Sequence, residues 1–386
     1  MLTHSYSAGV RFFRHLGLPL LRLSLRGLFS MNRYALFSVL RLALWRAWRW
    51  LPRWLQARRD GLAMPVTLQV VDDTRCGARC THCLFSAFTD RGAHLTLEDL
   101  GRLLDQAAGM DIGHVYLMGA DPFHRRDPAA YLALLAAHPH QVFYLFTEGQ
   151  RLSDEHLERL RRAGNIVPML NVDGLEQATE ARKGEGAWGR VSALMGRLHA
   201  RRVPWFVTTM VSTANFEHVT SEAYLEHLAA RGAWIVAYLP YTPVDAHAEA
   251  DLVLSEAQLG ELYHRSLRLN SWRRKLVVLD MLGIERELTS CPAGLETITV
   301  YHDGTVAPCA ALPLGHRASN VKEKPLRELF LTDPLYVAMR AARRNGPLHC
   351  LHYGDTTLLA DHLETHGDAM VVLNPDTARW LREHAG

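Results

Sequence analysis

The chain has 386 residues, 48% hydrophobic and 22% charged, enough apolar material for a large folded domain plus a smaller one, which excludes a low-complexity or fibrous chain. Six cysteines are too few for a disulfide framework at this length, and their two groups of three point to metal ligation in a reducing compartment. The net charge of +3 conceals an asymmetry: residues 1–59 carry eleven arginines and no lysine or acidic residue, leaving 32 of the 43 basic residues against all 40 acidic ones in the remainder.

Residues 1–60 read as a basic amphipathic helical arm of two helices. In the second, Leu36, Leu40, Leu44, Ala47, Leu51 and Trp54 recur at helical spacing on one face, with Arg46, Arg49 and Arg53 on another. Trp45, Trp48, Trp50 and Trp54 crowd the same stretch, and arginine beside tryptophan suits an anionic membrane interface. Packing on the body of the protein or on a partner, or a targeting role, are the competing readings. No run of 18 uncharged apolar residues exists, so no transmembrane span is expected. No nucleic-acid motif accompanies the charge, so a nucleic-acid partner is not expected. Arg58-Arg59-Asp60-Gly61 reads as the linker out of the arm.

From Met64 the pattern alternates strand and helix. Strands are expected at 66–71, 114–118, 141–146, 166–172, 205–211 and 234–239. Helices are expected at 96–110 behind a Thr96–Asp99 capping box, at 128–137, from Ser153 to 163, at 187–200 and at 222–231. Six β/α units argue for an α/β fold with a parallel sheet, a partial (β/α)6 TIM-like barrel over 64–254. In such sheets chemistry gathers at the C-terminal strand ends.

Directly behind the first strand stands Cys76-Gly-Ala-Arg-Cys80-Thr-His-Cys83. Three thiolates on one short loop can hold three irons of a [4Fe–4S] cube and leave the fourth open. Zinc or plain burial are the alternatives, but zinc favours four ligands and paired C-x2-C knuckles. Behind the second strand comes Gly119-Ala120-Asp121-Pro122, behind the third Thr147-Glu-Gly-Gln150, behind the fourth Asn171-Val-Asp173-Gly174, then Arg182-Lys-Gly-Glu-Gly186. The C-x3-C-x2-C loop and these four turns, in this order, resemble the radical S-adenosylmethionine (radical SAM) superfamily over residues 64 to 240. The resemblance implies that Cys76, Cys80 and Cys83 hold a [4Fe–4S] cluster whose free iron chelates SAM. It implies backbone contacts from Gly119, Ala120, Asp121 and Pro122 to the SAM amino group. It implies Asn171, Asp173 and Arg182 near the SAM carboxylate, and His82 beside the adenine. Ala120, Asp121 and Asn171 depart from the usual family residues.

Residues 255–386 contain a helix from Ser255 to 269, then Cys291, an apolar run at 298–301, the turn Asp303-Gly304 and Cys309. Asp-Gly between short alternating runs signals a β-hairpin, which brings the two cysteines together. The pattern, continued through Asn320-Val321 and 326–330 to Cys350, resembles the SPASM and twitch auxiliary-cluster extensions, so the expected architecture closes with a twitch/SPASM-like β-hairpin-helix region. The resemblance implies a second [4Fe–4S] cluster on Cys291, Cys309 and Cys350. Twitch domains end in C-x2-C and this chain reads Cys350-Leu-His352-Tyr, so either His352 completes the set, with His349 and Asp355 near, or one iron stays open. A cysteine–histidine zinc site is the alternative. The other histidines are left as surface or core residues.

The implied activity is reductive cleavage of SAM to a 5′-deoxyadenosyl radical that abstracts hydrogen from a peptide, lipid-linked or small-molecule substrate, assisted by the auxiliary cluster. The implied partners are SAM and a one-electron donor such as flavodoxin or ferredoxin. The arm favours a cytoplasmic enzyme peripheral on the inner face of the membrane, with a membrane-proximal substrate. A maturase of ribosomal peptides and a non-enzymatic iron–sulfur or zinc scaffold are the alternatives.

Overall fold

The computed structural model describes residues 31–60, 65–78, 80–85, 94–243, 249–270, 276–287, 291–344, 350 and 356–383. After the arm helix α1 (Arg33–Asp60), six parallel strands follow in chain order: β1 (Thr67–Asp73), β2 (His114–Gly119), β3 (Val142–Thr147), β4 (Ile166–Asn171), β5 (Phe206–Val211) and β6 (Ile235–Pro240). Between them run α2 (Leu97–Gly109), α3 (Pro128–Ala136), α4 (Asp154–Ala163), α5 (Glu176–Lys183), α6 (Ala187–Ala200) and α7 (Glu222–Ala230). The expected α/β partial barrel is therefore present, and the capping signals act as read. Thr96 and Asp99 exchange both bonds of a capping box, as do Ser153 with His156 and, at α8 (Glu256–Leu269), Ser255 with Gln258. Helix α5 was not foreseen, because its sequence is polar on nearly every side.

The sheet is larger than six strands. Beyond β6 lies β7 (Val277–Asp280), also parallel, followed by α9 (Met281–Glu287). At the other edge β8 (Thr297–Tyr301) pairs in parallel with β1, and β9 (Val306–Ala307) turns back antiparallel on β8, which is the expected hairpin around Gly304. Then come β10 (Leu314–His316), α10 (Leu326–Thr332), α11 (Pro334–Arg344), α12 (Thr357–His366), β11 (Met370–Val372), antiparallel to β10, and α13 (Pro375–Glu383). The main core lies between the sheet and its helices around Trp205, Phe143, Tyr224 and Tyr238. A smaller one joins Cys291, Leu314, Met339, Leu359 and Leu381.

The arm corrects one expectation and shows which of its faces packs on the body. Helix α1 continues through Asp60, so residues 58–60 are helical and not a linker. The face it buries is not the leucine face. Asn32, Ala35 and Ser38 are buried, while Leu40 is 51%, Leu44 73% and Trp48 79% exposed. Asn32 Nδ2 donates to Arg202 O at 3.0 Å, Ser38 Oγ to Ala163 O at 3.3 Å and Arg41 Nε to Pro139 O at 3.1 Å. Trp45 stacks on His140 at 4.1 Å, and Arg49 grips Asp111 with two bonds of 2.8 and 2.7 Å instead of projecting away. These contacts fall on the loops that precede β2, β3, β4 and β5. The arm thus covers the N-terminal ends of the strands, the end opposite to the one where chemistry gathers. Among the described residues no helix is long and apolar enough to cross a membrane. The first of the two arm helices, at residues 1–30, lies outside the described residues.

Gly164 closes α4 in the left-handed region at φ 70°, and a Cβ there would overlap the Tyr34 carbonyl of the arm. Gly164→Ala should therefore cost about 1–2 kcal/mol by chemical denaturation and speed amide exchange over residues 33–40. Unchanged exchange there would contradict this docking.

Candidate active site

Strand β1 delivers the cysteine loop to the C-terminal edge of the sheet. Asp73 ends the strand with its carboxylate on Arg75, at 2.9 Å to both Nε and Nη2. Its carbonyl accepts Ala120 N at 2.7 Å. That approach explains the glycine before Ala120. Gly119 sits at φ 99°, and a Cβ on it would overlap the Asp73 carbonyl oxygen. The far side of the loop is stitched to the Arg182 segment: Thr81 N donates to Arg182 O at 3.0 Å, and Arg182 Nε donates to Thr81 O at 3.2 Å.

Arg182 Nη1 also donates to Asn171 Oδ1 at 2.7 Å and meets Asp173 Oδ2 at 2.5 Å. So the three residues expected near one carboxylate do stand together, at the end of β4. Asp173 faces away from the cavity. Its other oxygen takes Met210 N at 2.8 Å, so it aims the guanidinium from behind. Asp121 lines the cavity but is buried, and its oxygens are taken up by the chain. It accepts from Thr147 Oγ1 at 2.9 Å, Glu148 N at 2.9 Å and Phe123 N at 3.0 Å, and burial pushes its pKa up against those bonds. Asp121 thus fastens the turn after β2 to the turn after β3. Pro122 is buried in the short helical turn that follows, and Ala120 and Pro122 form no part of the cavity wall.

Two residues inside the recognised turns carry unforeseen roles. Cys80 Sγ donates to Glu148 Oε1 at 3.3 Å, and Lys183 Nζ pairs with the same carboxylate at 3.1 Å while donating to Asn171 O at 2.5 Å. Burial, then the Glu148 charge, pushes the Cys80 thiol up to about 12. A thiolate here needs positive charge beside it, which the irons of a cluster supply and an empty apolar pocket does not. The donor set and its electrostatics fit that group. Nothing in the bare spacing of 147–150 or 182–186 singles out Glu148 or Lys183; only their convergence on Cys80 does. His82, at φ 55°, lines the cavity with its ring edge-on to Tyr241 at 5.3 Å and Nε2 at 3.4 Å from Glu249.

The two cysteine groups meet. One cavity of about 780 Å3 is lined by Cys76, Cys80 and Cys83 and also by Cys291, Cys309 and Cys350. Cys309 lies just past β9, in a loop tied to β1: Gln69 Oε1 accepts from Thr299 Oγ1 at 2.9 Å and from Ala310 N at 3.2 Å. Tyr301 donates its hydroxyl to the Ala310 carbonyl at 2.9 Å. Gln69, a polar residue inside a strand, gave no sequence signal. His352, His349 and Asp355 lie outside the described residues, and among the described residues no group of three or more metal-binding side chains is already arranged as a cage. The rest of the wall is mostly apolar, with Phe85, Met118, Phe146, Met210, Leu239 and Leu312.

Residues 73–222 match the radical SAM superfamily. The chain thus carries a radical SAM domain over those residues and is an enzyme. This radical SAM enzyme is 25% identical over 290 residues to the AdoMet-dependent heme synthase of Methanosarcina barkeri, covering 69% of this chain and 82% of the relative. It is 27% identical over 297 residues to the PqqA peptide cyclase of Methylocella silvestris, covering 72% and 76%. Its fold resembles Streptococcus suis SuiB bound to S-adenosylmethionine, with TM-score 0.63 and 17% identity over 75% of this chain and 71% of that one. SuiB bound to its precursor peptide SuiA gives 0.61 and 16% over 74% and 69%.

Proposed function

We propose that this radical SAM enzyme is a peptide maturase that modifies an uncharged side chain. The carrying observation is the single cavity of about 780 Å3 reached by both cysteine groups and walled mainly by apolar residues. A PqqA peptide cyclase among the relatives, and the fold likeness to a protein solved with its precursor peptide, support a peptide over a lipid-linked or small molecule. The heme synthase relative keeps the small-molecule reading as the competitor. The position of α1 also weighs against a membrane-proximal substrate, because the arm covers the end of the barrel remote from the cavity.

In this reading Cys76, Cys80 and Cys83 hold a [4Fe–4S] cluster, and Cys291, Cys309 and Cys350 hold an auxiliary one in the C-terminal region, with His352 or an open iron completing it. With SAM bound, the first cluster supplies a 5′-deoxyadenosyl radical that takes hydrogen from the substrate. The chain's own part is orientation and exclusion of water. Arg182, steered by Asp173 and joined by Asn171, receives the SAM carboxylate in a charge-assisted bond. The backbone of 119–122 receives the amino group. His82 and Tyr241 border the adenine. Glu148 and Lys183 set the charge beside Cys80. Flavodoxin or ferredoxin serves as electron donor.

The test is 5′-deoxyadenosine formation by the anaerobically reconstituted enzyme with SAM and dithionite, in the presence of peptide, lipid or small-metabolite fractions of a host extract. The peptide fraction alone should stimulate product above the basal rate, and Cys76→Ala with Cys80→Ala and Cys83→Ala should abolish it. Stimulation by the lipid or metabolite fraction alone would overturn the peptide assignment.

The outward stripe of Phe37, Leu40, Leu44 and Trp48, on an arm segment without an acidic side chain, is proposed to rest on an anionic lipid surface with the cavity facing away from it. Leu40→Gln, Leu44→Gln and Trp48→Gln together should weaken flotation with phosphatidylglycerol vesicles more than about tenfold while SAM cleavage is kept. Equal flotation of this variant would contradict the contact.

A further inference from the structure

Among the histidines that the active site does not use, three cluster in the C-terminal region. His316 ends β10 and is 5% exposed; His362 lies on α12 and is 8% exposed; His366 is the last residue of α12. Their rings contact one another pairwise. The centroids of His316 and His362 are 5.1 Å apart with planes at 77°, those of His316 and His366 5.6 Å at 61°, and those of His362 and His366 4.5 Å at 46°. None of the three pairs is parallel-stacked. His362 and His366 stand at i and i+4, the spacing that puts two imidazoles on one helix face for a shared ion. In the sequence alone these histidines read as surface or core residues; the partner of the pair stands on β10, with His316 forty-six residues before His362.

A second observation points to a cation. Asp333 is 2% exposed, at the start of α11. Its Oδ1 accepts from Tyr336 N at 3.0 Å, but its Oδ2 is buried with no hydrogen-bond partner among the described residues. The same carboxylate is close enough for its charge to act on both His316 and His362. A buried acceptor left unpaired carries a full desolvation penalty, and a neighbouring positive charge relieves it. A neutral imidazole has one ring-nitrogen lone pair to offer an ion, and the pairwise ring contacts bring three such donors to one place.

We propose that His316, His362 and His366 bind a divalent zinc-class ion, with Asp333 compensating its charge from behind. Imidazole donors without sulfur suit zinc, and three histidines leave one position for water. In the ion-free geometry the three side chains do not yet converge: His316 Nε2 and His362 Nε2 are 2.8 Å apart, held by one shared proton. The ion replaces that proton, which passes to Nδ1 of the same ring, so no proton is released. The bound ion ties α12 to β10. Strand β10 follows Cys309 and α12 follows Cys350, so the ion braces the segment that carries two of the auxiliary-group cysteines.

The experiment is anaerobic equilibrium dialysis of the full-length, iron-loaded enzyme against zinc chloride, with X-ray absorption at the zinc edge. One zinc per chain is expected, with a nitrogen/oxygen shell at about 2.0–2.1 Å, imidazole scattering and no sulfur at about 2.3 Å. His366→Ala, on the exposed end of α12, and His316→Gln should each weaken zinc binding at least about tenfold, with iron content and 5′-deoxyadenosine formation kept. No stoichiometric zinc, equal affinity in His366→Ala, or a sulfur shell from the cysteines would each overturn the proposal.

Discussion

The parallel pairing of β1 with β8, from Thr67 opposite Thr297 to Val71 opposite Tyr301, is the constraint on which the site depends. It joins segments 230 residues apart in the chain at Gln69 and Thr299. One strand, β1, thereby has the SAM-type turn of β2 on one side and the auxiliary hairpin on the other. The loop after β1 carries Cys76, Cys80 and Cys83; the loop past β9 carries Cys309. Because both open at the same edge of one sheet, the two cysteine groups line one cavity. The tie is specific as well as apolar. Val71, Tyr301, Ala307 and Val371 pack together there, and Gln69 binds the loop of Ala310 directly.

Charge in that cavity is arranged by side chains whose polar atoms are mostly taken up by one another. Asp173 and Asp121 are buried and spend their oxygens on the chain, one steering Arg182, the other joining two turns. Glu148 and Lys183 form a pair against Cys80, with side chains 19% and 4% exposed, so both signs of charge stand close to the thiol. The opposite wall is apolar, so the region left for substrate asks for a side chain without charge.

Much of this was legible where the signal is local. The caps at Thr96, Ser153 and Ser255 and the Asp303-Gly304 turn each depend on a few adjacent residues, and each acts as read; the cysteine loop stands behind the strand that the apolar run marked. Non-local features were hidden. Strand β7, the pairing of β8 with β1, and the convergence of Glu148 and Lys183 on Cys80 depend on contacts that no window of sequence contains. The arm packs on the body through a face that no leucine stripe marks: small Ala35 and Ser38 allow close approach, and Trp45 and Arg49 find specific partners in His140 and Asp111. The leucines are left outside. Asp121 and Asn171 departed from the family turns, yet both still stand at the strand ends where those turns belong.

The most direct measurement of the central claim, that both cysteine groups hold clusters facing one cavity, is low-temperature EPR of the dithionite-reduced enzyme with iron counted beside it. The account predicts about eight irons per chain, four per cube, and a spectrum broadened by spin–spin interaction between two nearby clusters. Replacing Cys291, Cys309 and Cys350 by alanine should leave about four irons and remove the broadening. A wild-type spectrum identical to that of this variant, or the same iron content in both, would contradict it.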